Sequence, residues 1–269
     1  AITASISSTT PVSCFGLSDG SATVDVTGGA LPYGYSWSNG QTSATASNLS
    51  AGNYSVTITD GKGCTESDNT VITEPAVLSA TMGSPSTVSC NGGNNGSVTV
   101  TGSGGTAATD YTYSWNTTPI QTTATATNLA AGDYSVTIKD DNNCTATAGP
   151  ISISEPIALS ASIGISSMVS CNGGNSGSAT VTSSGGTAAT DYTYSWNTTP
   201  VQTTATATNL IVGNYTVTVT DDNGCTATDN VPITEPTALV ASMGIPTMVS
   251  CNGAVPGEGS VTVTASGGT

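Results

Sequence analysis

The feature that most constrains this chain is that it repeats itself. Glu-Pro recurs at Glu74-Pro75, Glu155-Pro156 and Glu235-Pro236, and Tyr-Ser-Trp recurs around Trp37, Trp115 and Trp196. Val-Ser-Cys returns at Cys14, Cys90, Cys171 and Cys251, and residues 87–148 and 168–229 are nearly superimposable. A fixed period of this kind marks an array of one supersecondary unit. The natural division is 1–75, 76–156, 157–236 and a partial fourth unit, 237–269.

Inside a unit the apolar period is two, the spacing of strands. Leu78, Ala80 and Met82 alternate, as do Val98 and Val100. Tyr111, Tyr113 and Trp115 share one parity, and Tyr134, Val136 and Ile138 share another. A Thr-Ala alternation runs from Thr122 to Thr127 and ends at Leu129, and Ile151 and Ile153 precede Glu155-Pro156. Gly, Asn and Asp clusters such as Asn91-Gly92-Gly93 and Asp140-Asp141-Asn142-Asn143 mark turns. No stretch shows a helical period. Six or seven short strands around one Trp predict an all-β chain of tandem immunoglobulin-like sandwiches. The expected core aromatics are Trp37, Trp115 and Trp196 with Tyr54, Tyr134 and Tyr215.

A sandwich of this size has a thin core and is marginal without a staple. Two cysteines per complete unit supply one: Cys14 with Cys64, Cys90 with Cys144 and Cys171 with Cys225. Closing a loop of such a length is worth roughly 4 kcal/mol in the chain-entropy model. The expectation is one disulfide per domain, tying first and last strands at one pole, with Cys251 left unpaired. Persistent disulfides imply export to an oxidising compartment. The close Cys-x-x-Cys spacing of redox or metal sites is absent.

Composition excludes several classes of function. Charged residues make up only 7%, there is no His, Lys62 and Lys139 are the only bases, and the net charge is −15. Such a chain cannot neutralise a phosphate backbone, and it has no apolar run long enough to span a bilayer. The usual acids, bases and nucleophiles are missing or committed to bridges, so no catalytic residue is expected.

The ordered set Val-Ser-Cys-Asn-Gly-Gly, Gly-Ser-Ala-Thr-Val, Tyr-Ser-Trp, Gly-Asn-Tyr-Thr-Val-Thr-Val-Thr-Asp, Asn-Gly-Cys-Thr-Ala-Thr and Ile-Thr-Glu-Pro resembles the SprB repeat of large Bacteroidota surface proteins. The first unit departs with Cys14-Phe15-Gly16-Leu17, and the fourth inserts Ala254-Val255-Pro256-Gly257-Glu258. The resemblance implies type IX secretion, display at the cell surface as a filament, and adhesion during gliding motility. The expected role is a structural stalk whose partners are other repeats and, at the adhesive end, an extracellular substratum or polysaccharide. The alternative is a repeated glycan- or surface-binding module acting by avidity.

Cofactors are expected to be none, with calcium the one chemical alternative. Asp60, Asp140 and Asp221 hold equivalent turns, Asp141 and Asp222 sit beside two of them, and Glu74, Glu155 and Glu235 stand at the junctions. Carboxylates suit calcium, but Asp-Asp-Asn-Gly is also ordinary turn chemistry. Glu-Pro leads into the next strand within a few residues, which predicts stiff junctions with no Gly/Ser linker.

Overall fold

A computed structural model describes residues 1–106, 110–187, 191–248 and 259–269, with Ile165 described by its backbone only. Cys251 and the Ala254–Glu258 insertion lie outside the described residues. The described residues form strands and connections with no helix. The strands are β1 (Ile2–Thr10), β2 (Gly20–Gly28), β3 (Gly34–Trp37), β4 (Thr45–Leu49), β5 (Gly52–Thr59), β6 (Thr65–Ile72), β7 (Ala76–Met82), β8 (Gly96–Gly105), β9 (Thr112–Trp115) and β10 (Thr125–Leu129). They continue as β11 (Gly132–Lys139), β12 (Thr145–Ile153), β13 (Ser160–Ser167), β14 (Gly177–Ser184), β15 (Thr193–Trp196), β16 (Thr206–Leu210), β17 (Gly213–Thr220), β18 (Thr226–Ile233), β19 (Thr237–Met243) and β20 (Val263–Gly268).

Each complete period makes two three-stranded antiparallel sheets, β1-β2-β4 with β3-β5-β6 in the first and the same order in the next two. The fourth contributes only the pair β19-β20 among the described residues. That strand order, first-second-fourth against third-fifth-sixth, is the immunoglobulin-like sandwich. By contact density the chain forms two compact units. One comprises Ala1–Thr87 and Asn94–Ser154, the other Val88–Gly93 and Glu155–Thr269. The short segment Val88–Gly93, which carries Cys90, groups with the residues from Glu155 onward.

The first core gathers Ile2, Val24, Trp37, Leu49, Val56, Ile58 and Ile72, and the third repeats it with Val181, Trp196, Leu210, Val217, Val219 and Ile233. Trp115 and Trp196 are each 1% exposed. The expected Trp positions are thus the centres of the sandwiches. The indole N–H donates to Ser43, Thr123 and Thr204 carbonyls at 2.8, 2.9 and 3.0 Å, so the one polar atom of each Trp is satisfied. Those acceptors lie in the Thr-rich connection between the third and fourth strands, which gives that segment an internal role.

Tyr54, Tyr134 and Tyr215 are half-buried, not central, and take another part. Their hydroxyls donate to the carbonyls of Ser50, Ala130 and Ile211 at 3.1, 3.1 and 3.2 Å. This is the tyrosine corner of immunoglobulin-like domains. Two residues on, where antibody domains have a core cysteine, stand the buried Val56, Val136 and Val217.

One strand breaks the period of two. In β10 the inward residues are Ala126 and Leu129, three apart, because Asn128 adopts φ 54° and bulges the strand. Asn48 and Asn209 do the same at φ 54° and 56°. The strained segment is gripped by a side chain acting as a strand partner. Gln121 donates to the Thr127 carbonyl at 2.8 Å and accepts from the Thr127 N–H at 2.9 Å. At the start of β8, Gly96 is required for space, since a Cβ there would stand 2.8 Å from the Leu129 carbonyl oxygen and 2.9 Å from Ile153.

Candidate functional site: the disulfide junctions

The sequence expectation of one disulfide inside each domain is overturned. The bonds join neighbouring repeats: Cys14 to Cys144 and Cys90 to Cys225, each with Cα atoms 5.7 Å apart. Cys64 and Cys171 are free and exposed. The pairs Cys14–Cys64, Cys90–Cys144 and Cys171–Cys225 do not form.

The physical reason is strand direction. In the first repeat Val12, just past β1, donates to the Thr73 carbonyl at 2.9 Å, so Cys14 lies at the pole where β6 ends. Cys64 lies at the opposite pole, because its loop is organised by Asp60, which also accepts from the Ala30 N–H at 3.1 Å beside Ile2. β1 is nine residues long, which separates the poles by about 30 Å. Disulfide formation needs Cα atoms within about 7 Å. Counting six strands as alternating up and down puts both cysteines at one pole. The connection from β3 to β4 is a crossover between sheets, so those two strands run the same way and the count shifts by one.

Two carboxylates prepare the two halves of each junction. On the first half, Glu74 accepts from the Gly16 N–H at 2.7 Å and so fixes the loop that carries Cys14. Glu155 and Glu235 accept in the same way from Gly92 and Gly173 at 2.6 and 2.7 Å. Asn91 and Asn172 add donors to the Pro156 and Pro236 carbonyls at 3.1 and 3.0 Å. Each Glu-Pro therefore anchors the loop of the first cysteine to the chain's exit from the repeat.

On the second half, Asp140 is buried and accepts three backbone N–H bonds, from Thr106 at 2.8 Å, Asn142 at 3.0 Å and Cys144 at 2.9 Å. Gly105 makes room for it, since a Cβ there would lie 2.5 Å from its Oδ2. Asp221 accepts likewise from Thr187, Asn223 and Cys225. Its carboxyl is held below the ordinary carboxylate pKa, chiefly by the Thr187 N–H. Asp60 is lowered too, chiefly by the Cys64 N–H and then by Ala30 and Lys62.

The halves meet through one further bond. Asn142 Nδ2 donates to the Ser13 carbonyl at 2.8 Å, and Asn223 Nδ2 to the Ser89 carbonyl at 2.9 Å. The serine of each Val-Ser-Cys thus docks on the turn of another repeat while its neighbour bonds covalently. Sequence reasoning singled out the Cys, Glu, Asp and Asn residues of this arrangement. It assigned no core role to Val12, Val88 and Val169, which are buried just ahead of the serines. Their recurrence before each Ser-Cys was the available signal.

Of the carboxylates considered for calcium, Asp60, Asp140, Asp221, Glu74, Glu155 and Glu235 are engaged with N–H donors, the opposite of a cation's oxygen cage. Among the described residues no cluster of three His, Cys, Asp or Glu could hold a metal ion. Among them, too, no helix is long and apolar enough to cross a membrane.

A shallow concavity recurs beside the tyrosine corner, lined in the second repeat by Asn116, Pro119, Gln121, Asn128 and Tyr134. Its equivalent in the third has Asn197, Pro200, Gln202, Asn209 and Tyr215. The Asn116, Gln121 and Tyr134 side chains, and Asn197, Gln202 and Tyr215 in the third repeat, spend polar atoms on the backbone. Asn116 accepts from the Ser135 N–H at 2.9 Å and donates to the Asp133 carbonyl at 3.2 Å, and Gln121 is bound to Thr127 at both ends of its amide.

The chain is similar to several solved tandem-domain proteins. These include the N-terminal eight Ig domains of Down syndrome cell adhesion molecule (15% identity, 77% of this chain and 34% of that one, TM-score 0.35). Invasin, a bacterial integrin-binding protein, is 15% identical over 88% of this chain and 61% of that one, with TM-score 0.34. A tetra-tandem repeat from the extending region of a large adhesion protein is 14% identical over 99% of this chain and 87% of that one, with TM-score 0.26. The chain thus spans about a third of the length of the first and three-fifths of the second. No curated protein matches it in sequence. The SprB repeat model matches residues 6–42, 83–118 and 165–200, each match running from within or just after a repeat's first strand past its buried Trp, so that three stretches of the chain are similar to the SprB repeat.

Proposed function

We propose that this chain is a stalk segment of a large secreted cell-surface adhesin, bearing load between the cell and an adhesive end and serving adhesion and gliding motility. The observation that carries the reading is that both disulfides cross from one repeat to another. A bond placed to stabilise a single small domain would close inside it. A bond across the junction ties neighbours to one another, as a stalk requires. Export by a type IX route in a Bacteroidota cell, an extracellular location and the absence of catalysis belong to the same reading. So does the repeat taken as the unit of the array, with boundaries after Pro75, Pro156 and Pro236.

The second reading, a repeated binding module, is favoured by the matching concavities of the second and third repeats. The side-chain amides of Asn116, Gln121, Asn197 and Gln202 there are already bonded within the fold, which favours the stalk. A glycan array and a bead-binding assay with the full chain separate the two. The stalk reading expects background signal throughout. Saturable binding that disappears on changing Tyr134 and Tyr215 to Ala would overturn it.

A further inference from the structure

The disulfides decide which segments of the chain would carry a pulling force. Cys14 follows β1 directly, and its partner Cys144 opens β12. From Cys144 the chain runs along β12, through Glu155-Pro156 and along β13 to Cys171. A second route starts at Cys64, follows β6, Glu74-Pro75 and β7 to Cys90, crosses to Cys225, and continues through β18 and Glu235-Pro236 into β19. Neither route passes through β2 to β5 or their equivalents.

We infer that the disulfides thread the array on two interleaved covalent tension lines, each made only of first strands, last strands and Glu-Pro connections. The middle strands hang from these lines as side loops, out of the path of the load. Most of each line is already extended. β12 and β13, nine and eight residues long, take up most of the chain between Cys144 and Cys171. Between Cys14 and Cys171 on the first line, and from Cys64 to β19 on the second, unfolding a sandwich therefore cannot release its middle strands as slack.

Several details fit this role. The lines use the edge strands of both sheets, β1 beside β2 and β6 beside β5. In the first and third repeats the two edges are stitched directly, Asp68 accepting from the Ile6 N–H and Asp229 from the Ile163 N–H, both at 2.7 Å. Glu74, Glu155 and Glu235 brace the point where a line leaves one repeat, and Asp140 and Asp221 brace the point where a line enters the next. Cys64 and Cys171, exposed and free, occupy the matching positions at which a line reaches its end within this chain.

The inference rests on the stalk reading for its purpose only, since the covalent path stands whatever the chain binds. Single-molecule stretching of the full chain tests it, with one handle at Ala1 and the other at the exposed Ile157. Under oxidising conditions the 130 residues between Cys14 and Cys144 should stay hidden after complete unfolding. Cys14→Ser, or a reductant, should lengthen the unfolded tether by about 430–470 Å, at 3.3–3.6 Å per residue. Cys64→Ser should change nothing. A Cys64→Ser tether longer than the parent's would show pairing within a repeat and overturn the inference. Equal lengths for the oxidised parent and Cys14→Ser would overturn it as well. The glycan array reads the stalk proposal separately, so the failure of one is not mistaken for failure of the other.

Discussion

The interior of a repeat and the junction between repeats hold together by different means. Around Trp115 nearly everything is apolar burial: Val98, Val100, Ala126, Leu129, Val136, Ile138 and Ile153 are all at most 3% exposed. Among the described residues no disulfide crosses that core. At the junction of Cys14 and Cys144 the apolar side chains Phe15 and Leu17 stay about half exposed. A covalent bond, two braced loops and one Asn-to-carbonyl hydrogen bond make the connection. The sandwich is a cooperative body stabilised by area removed from water. The junction is a point fastening, stabilised by donors and acceptors held in place. Damage to one should therefore leave the other standing.

The largest effect that would expose this difference is Trp115→Ala. Removing so large a side chain from a packed core costs about 3–5 kcal/mol. For a sandwich this small that is much of its stability. Calorimetry should show one transition shifted sharply down while non-reducing peptide mapping still finds Cys90 bonded to Cys225. If the shift spread equally over all transitions, interior and junction would be one cooperative system and the comparison would fail.

The interior was readable in the sequence because a core is a periodic demand. Alternation placed Val98 and Val100, Val136 and Ile138, and the Trp in the right strands, and the strand count yielded the sandwich. The exceptions were local. A strict period of two cannot anticipate that Asn128 in a left-handed conformation turns Leu129 inward, although Asn-Leu recurs in all three repeats. The junction was readable in its parts but not in its pairing. Spacing showed that cysteines come two to a repeat, yet partners are set by which pole each occupies, and pole depends on the direction of every strand between. One crossover from β3 to β4 reversed the answer. The resemblance to SprB repeats carried no information about the bonds.

A smaller effect separates the two regions by pH. Asp60 and Asp221 have carboxyls lowered by backbone N–H bonds, so their ionised forms are favoured by folding. Their contribution is complete above the ordinary carboxylate pKa of about 3.9 and is lost as pH falls through the lower folded value. Acid should accordingly loosen the cysteine-bearing turns first. Hydrogen exchange at Cys225 and Asn223 should rise below about pH 4 while the amides paired around Val217 stay protected. Asp221→Asn should raise exchange at those turn amides at neutral pH and flatten the acid response. Uniform exchange across turn and core at low pH would mean that the turns have no separate identity.

Tyr134→Phe should be milder still. It removes one hydroxyl donor from a half-buried corner and leaves the ring in place, so the loss is about 1 kcal/mol, the worth of a single net hydrogen bond. A downward shift of a few degrees in the second repeat's melting is the expected reading. A loss as large as that of Trp115→Ala would place the corner within the core's cooperative network.

The smallest expected effect is that of calcium, which should be nil. The turn carboxylates already accept N–H bonds, Asp140 three of them and Asp221 three. A cation would have to displace those donors and find about six oxygens in their place. Each junction Glu likewise has an Oε committed to a glycine N–H of the loop it braces. Melting curves in millimolar calcium and in chelator should therefore coincide, and equilibrium dialysis should find no bound ion. A chelator-dependent fall in melting temperature would instead require the junction loops to open and turn oxygens outward. Junction rigidity would then come from an ion as well as from the Cys14–Cys144 and Cys90–Cys225 bonds, and the contrast between a buried interior and a covalently fastened junction would have to be redrawn.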